Sequence, residues 1–207
     1  MTVPTKVLEE TEFKAPVAGS SVQKLAITGS VVAAWAGFAW LALGAESIAR
    51  PVQMNYRDAL WMVPFVLSAI AFTFLHAVQR SPTDQFESVS FYFLMTASAL
   101  AFLGNTGVLT NEPLLASFGF PWGAILWMLG LVAYGIATLM AKVVPRYVAI
   151  SIILLEPGSL LTGLALSPIA PIHDRGAYSA GIEKGLVLAL LALGMKQLAR
   201  KDAQPVK

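Results

Sequence analysis

The chain has 207 residues, of which 57% are hydrophobic and only 13% are charged, and its mean hydropathy is +0.68. Soluble domains carry about 25% charged residues, so this composition excludes an ordinary soluble protein and indicates a membrane protein with one helical domain. The net charge of +2 is too small to favour nucleic acid as a partner. The absence of cysteine excludes disulfides, thiol catalysis and thiolate metal sites.

Hydropathy predicts an all-α fold, a bundle of six transmembrane helices between polar tails. The predicted spans cover residues 25–46, 59–80, 88–109, 119–141, 147–168 and 178–198. Charged residues precede the first apolar run, which is typical of a cytoplasmic tail and unlike a signal peptide. We therefore expect a disordered tail at 1–20, a six-helix domain at 21–199 and a basic tail at 200–207.

Small residues recur at helical spacing in three of the predicted spans. Small side chains let membrane helices approach one another closely. The stripes therefore predict packing between helices of this chain, against partner membrane helices or against a second copy of the chain. In chain order they are Gly29, Ala33 and Gly37; Gly123, Gly130 and Ala137; and Gly181 and Gly185.

Polar residues lie near the ends of the second and third spans. His76 precedes Gln79 by three residues and Arg80 by four, so the three side chains can share one helix face. A lone histidine at that depth is more typical of an interfacial hydrogen-bonding residue than of a ligand or proton carrier. Asn105, within the small and polar run 104–107, either lines a cavity or simply accompanies the end of the helix.

The fifth span carries Glu156, Pro157 and Gly158 in its middle. At about 1.5 Å per residue from Arg146, Glu156 lies roughly 15 Å into a hydrocarbon layer about 30 Å thick. An ionisable side chain there costs about 2.5–3.5 kcal/mol on insertion scales, so it needs a partner, a proton or a cavity. Pro157 removes one helical hydrogen bond and predicts a kink. The alternatives are a built functional site and a protonated Glu156 that simply bonds to neighbouring helices.

Three further side chains are considered with Glu156. Tyr134 falls at a similar depth on the preceding antiparallel helix, which makes it the first candidate partner; the alternative is a tyrosine that bonds elsewhere or packs as an aromatic residue. Lys184, four to six residues inside the last span, either snorkels towards the surface or meets an acidic group deeper in the membrane. Glu183 points about 100° away from Lys184 on the helix, so the two are not assumed to pair.

The basic residues predict that both termini lie in the cytoplasm and that the protein spans the inner membrane of a bacterium. With that orientation, ten of the fourteen Lys and Arg residues fall in inner segments. The outer face then gathers several polar residues, which exposure to solvent alone can explain. In the functional alternative, His173 and Asp174 supply acid and base groups, while Arg175 or Lys184 holds an anionic headgroup or neutralises a carboxylate.

Three functions are compatible with this pattern. The leading hypothesis is a small proton-coupled transporter or small-molecule binder that uses Glu156, since interrupted helices at the membrane centre are where such sites form. The alternatives are an accessory or scaffold subunit of a membrane complex, and a membrane enzyme acting on a lipid or isoprenoid substrate with Glu156 as general acid. No cofactor or metal is predicted, because the sequence lacks zinc and phosphate-loop motifs and its two histidines, His76 and His173, fall on opposite sides of the membrane.

Overall fold

The computed structural model describes residues 20–80, 85–119, 121–172 and 177–201, and this part of the chain is helical without strands. It contains six helices that are long and apolar enough to cross a membrane, which confirms the all-α, six-span prediction. The predicted tails at 1–20 and 200–207 lie almost wholly outside the described residues. The long helices are α1 (Ser20–Ala49), α2 (Tyr56–Gln79), α3 (Gln85–Thr110), α5 (Trp122–Ala141), α6 (Arg146–Leu166) and α7 (Gly181–Lys201), with short turns at α4 (Pro113–Ala116) and η1 (Tyr178–Ala180).

The six long helices pack in chain order into a closed ring, each against the next and α7 against α1. Contacts between α1 and α7 show that these neighbours run antiparallel. Near the start of α1, the Gln23 side chain donates a hydrogen bond of 3.3 Å to the backbone carbonyl of Ala199, near the end of α7. Near the end of α1, Gly44 packs against Ile182 at the start of α7.

The alternating helix directions give the ring two faces. We call the face at which α1 begins and α7 ends the terminal face, and the opposite face the loop face. The loop face carries the connections from α1 to α2, from α3 to α5 and from α6 to α7. Both ends of the described chain thus lie at one face, while the assignment of that face to the cytoplasm stays a prediction from the basic residues.

Glycines let α1 and α7 approach within backbone contact. A Cβ atom added to Gly37 would lie 2.8 Å from the carbonyl oxygen of Gly185, and one added to Gly185 would lie 2.7 Å from that of Gly37. Between α3 and α5, Gly130 faces the backbone of Leu94 in the same manner. Neighbouring helices of the same chain therefore occupy these small-residue positions, and their use by a partner or a second copy stays a prediction.

At the loop face, Arg57 fastens the connection between α1 and α2. Its Nε lies 2.7 Å from Oε2 of Glu46, and its terminal nitrogens donate to the backbone carbonyls of Arg50 at 2.6 Å and Val52 at 2.5 Å. Three groups thus use the donors of one planar guanidinium, which is always charged. We interpret this buried arginine as structural, because it satisfies carbonyls that follow the end of α1.

Large apolar side chains lie both inside the ring and on its outer surface. Phe72, Leu131 and Leu188 are buried in the interior. On the outer surface, Trp35 and Phe38 of α1 are 61% and 63% exposed. A bilayer accepts an apolar exterior, and helices satisfy their own backbone groups within it. The six apolar helices are thus consistent with an integral membrane protein.

Candidate functional site

Glu156 lies at the middle of α6. The helix runs through Pro157 from Arg146 to Leu166, and Glu156 is the eleventh of its 21 residues. At 1.5 Å per residue, its backbone is about 15 Å from either helix end. Because Pro157 has no N–H, the carbonyl of Ile153 lacks its usual helical donor. The centre of α6 thus combines an ionisable group with a weakened stretch of backbone.

Lys184 of α7 turns inward and pairs with Glu156. Its Nζ lies 2.7 Å from Oε2 of Glu156, and the lysine and glutamate side chains are only 10% and 21% exposed. Lys184 therefore meets an acidic group within the ring and does not snorkel towards the loop face. The pair gives Glu156 the partner that an ionisable group needs at this depth.

Two tryptophan rings lie against the same ammonium group. Nζ of Lys184 is 5.1 Å from the ring centroid of Trp40 on α1 and 4.9 Å from that of Trp127 on α5. Both distances fall within the range of about 6 Å over which a cation is attracted to an aromatic face. Because α1 and α5 are not neighbours in the ring, the ammonium group lies in the ring interior. We call Glu156, Lys184, Trp40 and Trp127 the lysine box.

The aromatic walls of the lysine box are held by α2. Nε1 of Trp40 donates a hydrogen bond of 3.1 Å to Oγ of Ser68. Trp61 and Phe65 stack with centroids 4.2 Å apart. Trp61 also contacts Trp40 edge-on at 6.2 Å, while Phe65 contacts Trp127 at 5.1 Å. This chain of ring contacts fixes the two walls relative to each other.

Glu183 brings a second carboxyl group close to the lysine box. Its Oε1 lies over α6 at Gly158, where an added Cβ would be only 2.8 Å away, so this approach requires glycine. Its Oε2 is buried and has no hydrogen-bond partner within the described part of the chain. With both Glu156 and Glu183 ionised, two negative charges lie near the single positive charge of Lys184.

Tyr134 does not pair with Glu156, so the candidate pairing is wrong and the alternative, a tyrosine that bonds elsewhere and packs as an aromatic residue, is correct. The tyrosine is fully buried, its Oη donates a hydrogen bond of 3.4 Å to the backbone carbonyl of Phe72, and its ring contacts Phe72 and Phe91. Tyr134 thus points towards α2 and α3, whereas Glu156 points towards α7. Two residues at similar depth need not lie on facing sides of their helices.

Asn105 lies away from the lysine box, at the loop face. Its Nδ2 donates a hydrogen bond of 2.7 Å to the backbone carbonyl of Asp58, whose carboxylate accepts a hydrogen bond from Oη of Tyr178. These bonds tie α3 and η1 to the start of α2. The predicted acid, base and headgroup residues at 173–175 lie outside the described residues, so their role stays a prediction.

A second polar cluster lies towards the terminal face. Glu87 of α3 is fully buried, and its carboxylate oxygens lie 2.8 and 3.0 Å from Nδ1 of His76. Nε2 of Gln79 donates to Glu87 at 3.0 Å and to Oγ1 of Thr138 at 3.1 Å. The His76 ring stacks on Phe91 with centroids 3.9 Å apart. We call these five residues the histidine cluster; its glutamate was missed in the sequence, where only the shared face of His76 and Gln79 pointed to it.

Comparison with known proteins gives no match, whether to a protein-family model, a curated protein or a solved structure. In residues 20–80, 85–119, 121–172 and 177–201, no group of three or more His, Asp or Glu side chains is placed to hold a metal ion. The fold and the site thus define the class: a polytopic helical protein whose ring of six helices encloses an ion pair.

Proposed function

We propose that the chain is a small proton-coupled carrier or binder of a small molecule, and that Glu156 exchanges the proton. The observation that carries this proposal is the Glu156–Lys184 pair inside the helix ring, with Glu156 at the middle of α6 and 2.7 Å between Oε2 and Nζ. A buried ion pair is a weak way to stabilise a fold, since apolar residues of similar volume are often as good or better. Ionisable groups inside membranes more often mark a path for ions or substrates.

Protonation of Glu156 changes which groups hold the ammonium group of Lys184, which we call the lysine head. While Glu156 is ionised, the Lys184 ammonium is held by a carboxylate and by two tryptophan faces. When Glu156 takes up a proton, the ion pair disappears and the tryptophan faces become the main attraction. The lysine stem is flexible and long enough to move its head towards the loop face. Proton binding is thereby linked to the position of Lys184.

The backbone of α6 supports the same proposal. Pro157 directly follows Glu156 and leaves one carbonyl in the preceding turn without its helical donor. Interruptions of this kind let a helix bend at a defined point. Loss of the ion pair to α7 and a weakened α6 together provide a route by which Glu156 is reached from either face, as coupled transport requires.

The orientation and compartment belong to the same proposal. The count of basic residues supports a cytoplasmic terminal face and a bacterial inner membrane. On that arrangement Lys184, only three residues after the start of α7, lies nearer the outer side. The lysine head then moves outward when Glu156 is protonated.

Carboxyl infrared difference spectroscopy in nanodiscs tests whether Glu156 exchanges protons. We expect a protonated-carboxyl band that grows as the pH is lowered in the wild type and is missing in Glu156→Gln. The control is Glu112→Gln, which removes an exposed carboxyl group at the loop face and should leave that band in place. A Glu156 carboxyl that keeps one protonation state across the stable pH range would refute the proposal and favour a structural or accessory role.

A further inference from the structure

The Lys184 ammonium is held as a bound organic cation would be held. A carboxylate neutralises it at 2.7 Å, and the faces of Trp40 and Trp127 lie 5.1 and 4.9 Å away. Aromatic faces joined to a negative charge are the usual recognition chemistry for quaternary ammonium and alkylammonium groups. We propose that the lysine box binds a small organic monocation, a protonated amine or quaternary ammonium ion, in exchange with the Lys184 head. This inference rests on the proposed function, because it names the molecule that is exchanged for the proton.

The tryptophan walls of the lysine box are held in place by their contacts, whereas the Lys184 ammonium that lies between them is on a flexible side chain. Trp40 is held by its hydrogen bond to Ser68, and Oγ of Ser68 in turn donates to the backbone carbonyl of Pro64 at 2.6 Å. The ammonium of Lys184 is instead carried on a flexible four-carbon stem near the start of α7. A preformed wall with a movable internal cation suits exchange, since little ordering is needed when the ligand binds.

The balance of charge selects a cation over an anion. Glu156 and Glu183 supply two carboxylates against one lysine, and Oε2 of Glu183 is buried without a hydrogen-bond partner in the described ranges. The approach of Glu183 to α6 depends on the missing side chain at Gly158. While Glu156 and Glu183 are both ionised, a monocation that enters the lysine box meets excess negative charge, and the unpartnered oxygen offers an acceptor for the N–H of a protonated amine.

Competition for Glu156 couples the cation to the proton. A protonated Glu156 carries no charge and loses its main attraction for an organic cation, so proton and cation occupy the site in turn. The exchange of one proton for one monovalent cation leaves the net charge of the site unchanged. This stoichiometry predicts an electroneutral exchange across the membrane.

Isothermal titration of the full-length protein in nanodiscs tests the inference with choline and 3,3-dimethyl-1-butanol. The two probes have the same shape, but the alcohol has carbon in place of the charged nitrogen. We expect choline to bind at least tenfold more tightly than the alcohol, and its affinity to fall as the pH is lowered. Lys184→Met should raise choline affinity, because it removes the competing ammonium and keeps the length of the stem. Equal binding of the two probes would overturn the inference.

Tryptophan variants test the location of the site. Trp127→Leu should lower choline affinity at least tenfold, and Trp127→Phe should lower it less. The matched control is Trp122→Leu on the same helix, because Trp122 is 66% exposed and should not contribute. Choline binding that Trp127→Leu and Trp127→Phe leave unchanged would show that the site is wrong.

If choline fails to bind while the Glu156 carboxyl still titrates, the organic cation is wrong and proton exchange stands; if both fail, the proposed function falls as well.

Discussion

The lysine box and the histidine cluster are two buried acid–base pairs that are built in opposite ways. In the histidine cluster, the Glu87 carboxylate is fully buried and receives contacts from His76 and Gln79 between 2.8 and 3.0 Å. In the lysine box, Glu156 keeps 21% of its side-chain surface exposed, and the lysine is otherwise surrounded by aromatic faces. Along α2 the two sites lie about 12 Å apart, because His76 follows Ser68, the partner of Trp40, by eight positions.

The difference separates a site that fixes structure from the site at which we propose that an occupant is exchanged. Directed hydrogen bonds from the Gln79 amide to the Glu87 carboxylate and to the Thr138 hydroxyl hold the histidine cluster in one geometry, and its unpartnered buried atom in the described ranges is the neutral amide oxygen of Gln79. Cation–π contacts are less directional, and the unpartnered atom beside the lysine box belongs to the carboxyl group of Glu183. The free energy of unfolding should therefore depend more on the histidine cluster, and ligand binding on the lysine box.

The largest loss of stability is expected for Glu87→Leu. The change leaves His76 buried without its acceptor and leaves Gln79 with Thr138 alone, and loss of one member of a buried pair costs about 3–5 kcal/mol. Chemical unfolding in mixed micelles measures the difference. Glu112→Gln, at an exposed position, should stay within about 0.5 kcal/mol of the wild type. A Glu87→Leu variant as stable as the wild type would remove the distinction between the two sites.

A smaller loss, about 1–3 kcal/mol, is expected for Glu156→Leu. The Lys184 ammonium that remains can escape along its stem towards the loop face, which limits the cost of losing its partner. The double variant Glu156→Leu with Lys184→Met should recover most of the loss, since it removes both charges together. The comparison fails if the double variant is destabilised by the sum of the two single effects, because the pair would then have no coupling energy.

The sequence predicted the helical class and the position of Glu156, because both follow from hydropathy along a single chain. It did not predict the partner of Glu156, because depth says nothing about rotation around a helix axis. Tyr134 and Glu156 are at similar depth but face α2 and α7 respectively, and the true partner is Lys184. The sequence did not indicate that Trp40 and Trp127 belong to a site, since aromatic residues are common in membrane helices for packing alone.

Glu87 was not predicted to be buried because the predicted start of the third span was a few residues too late. The third span was predicted to begin at residue 88, which left Glu87 outside the membrane. The helix begins at Gln85, and Glu87 faces the interior at 0% exposure. Helix ends are the least certain part of a hydropathy prediction, so an acidic residue at an end is easily counted as exposed.

Thr138→Val tests the hydrogen bond from Gln79 to Thr138, which links the histidine cluster to α5. Val has nearly the shape of Thr but cannot accept the 3.1 Å hydrogen bond from Nε2 of Gln79, so a loss of about 1 kcal/mol is expected. The matched control is Thr73→Val, whose exposed hydroxyl donates to the backbone carbonyl of Ala69 in its own helix at 2.9 Å and otherwise makes a long 3.9 Å contact with Sδ of Met95. Equal effects of the two variants in chemical unfolding would show that Thr138 does not help to fix the cluster.

The smallest effect on stability is expected for Gly158→Ala, which acts on the lysine box alone. The added Cβ would lie 2.8 Å from Oε1 of Glu183, and this contact is relieved by turning a flexible side chain. The free energy of unfolding should therefore change by less than about 1 kcal/mol. Choline affinity should nevertheless fall, because the second carboxylate is displaced from the site, and Glu183→Gln should lower it in the same direction without altering α6. A fall in Glu183→Gln with no change in Gly158→Ala would show that the charge of Glu183 matters but that its close approach to α6 does not.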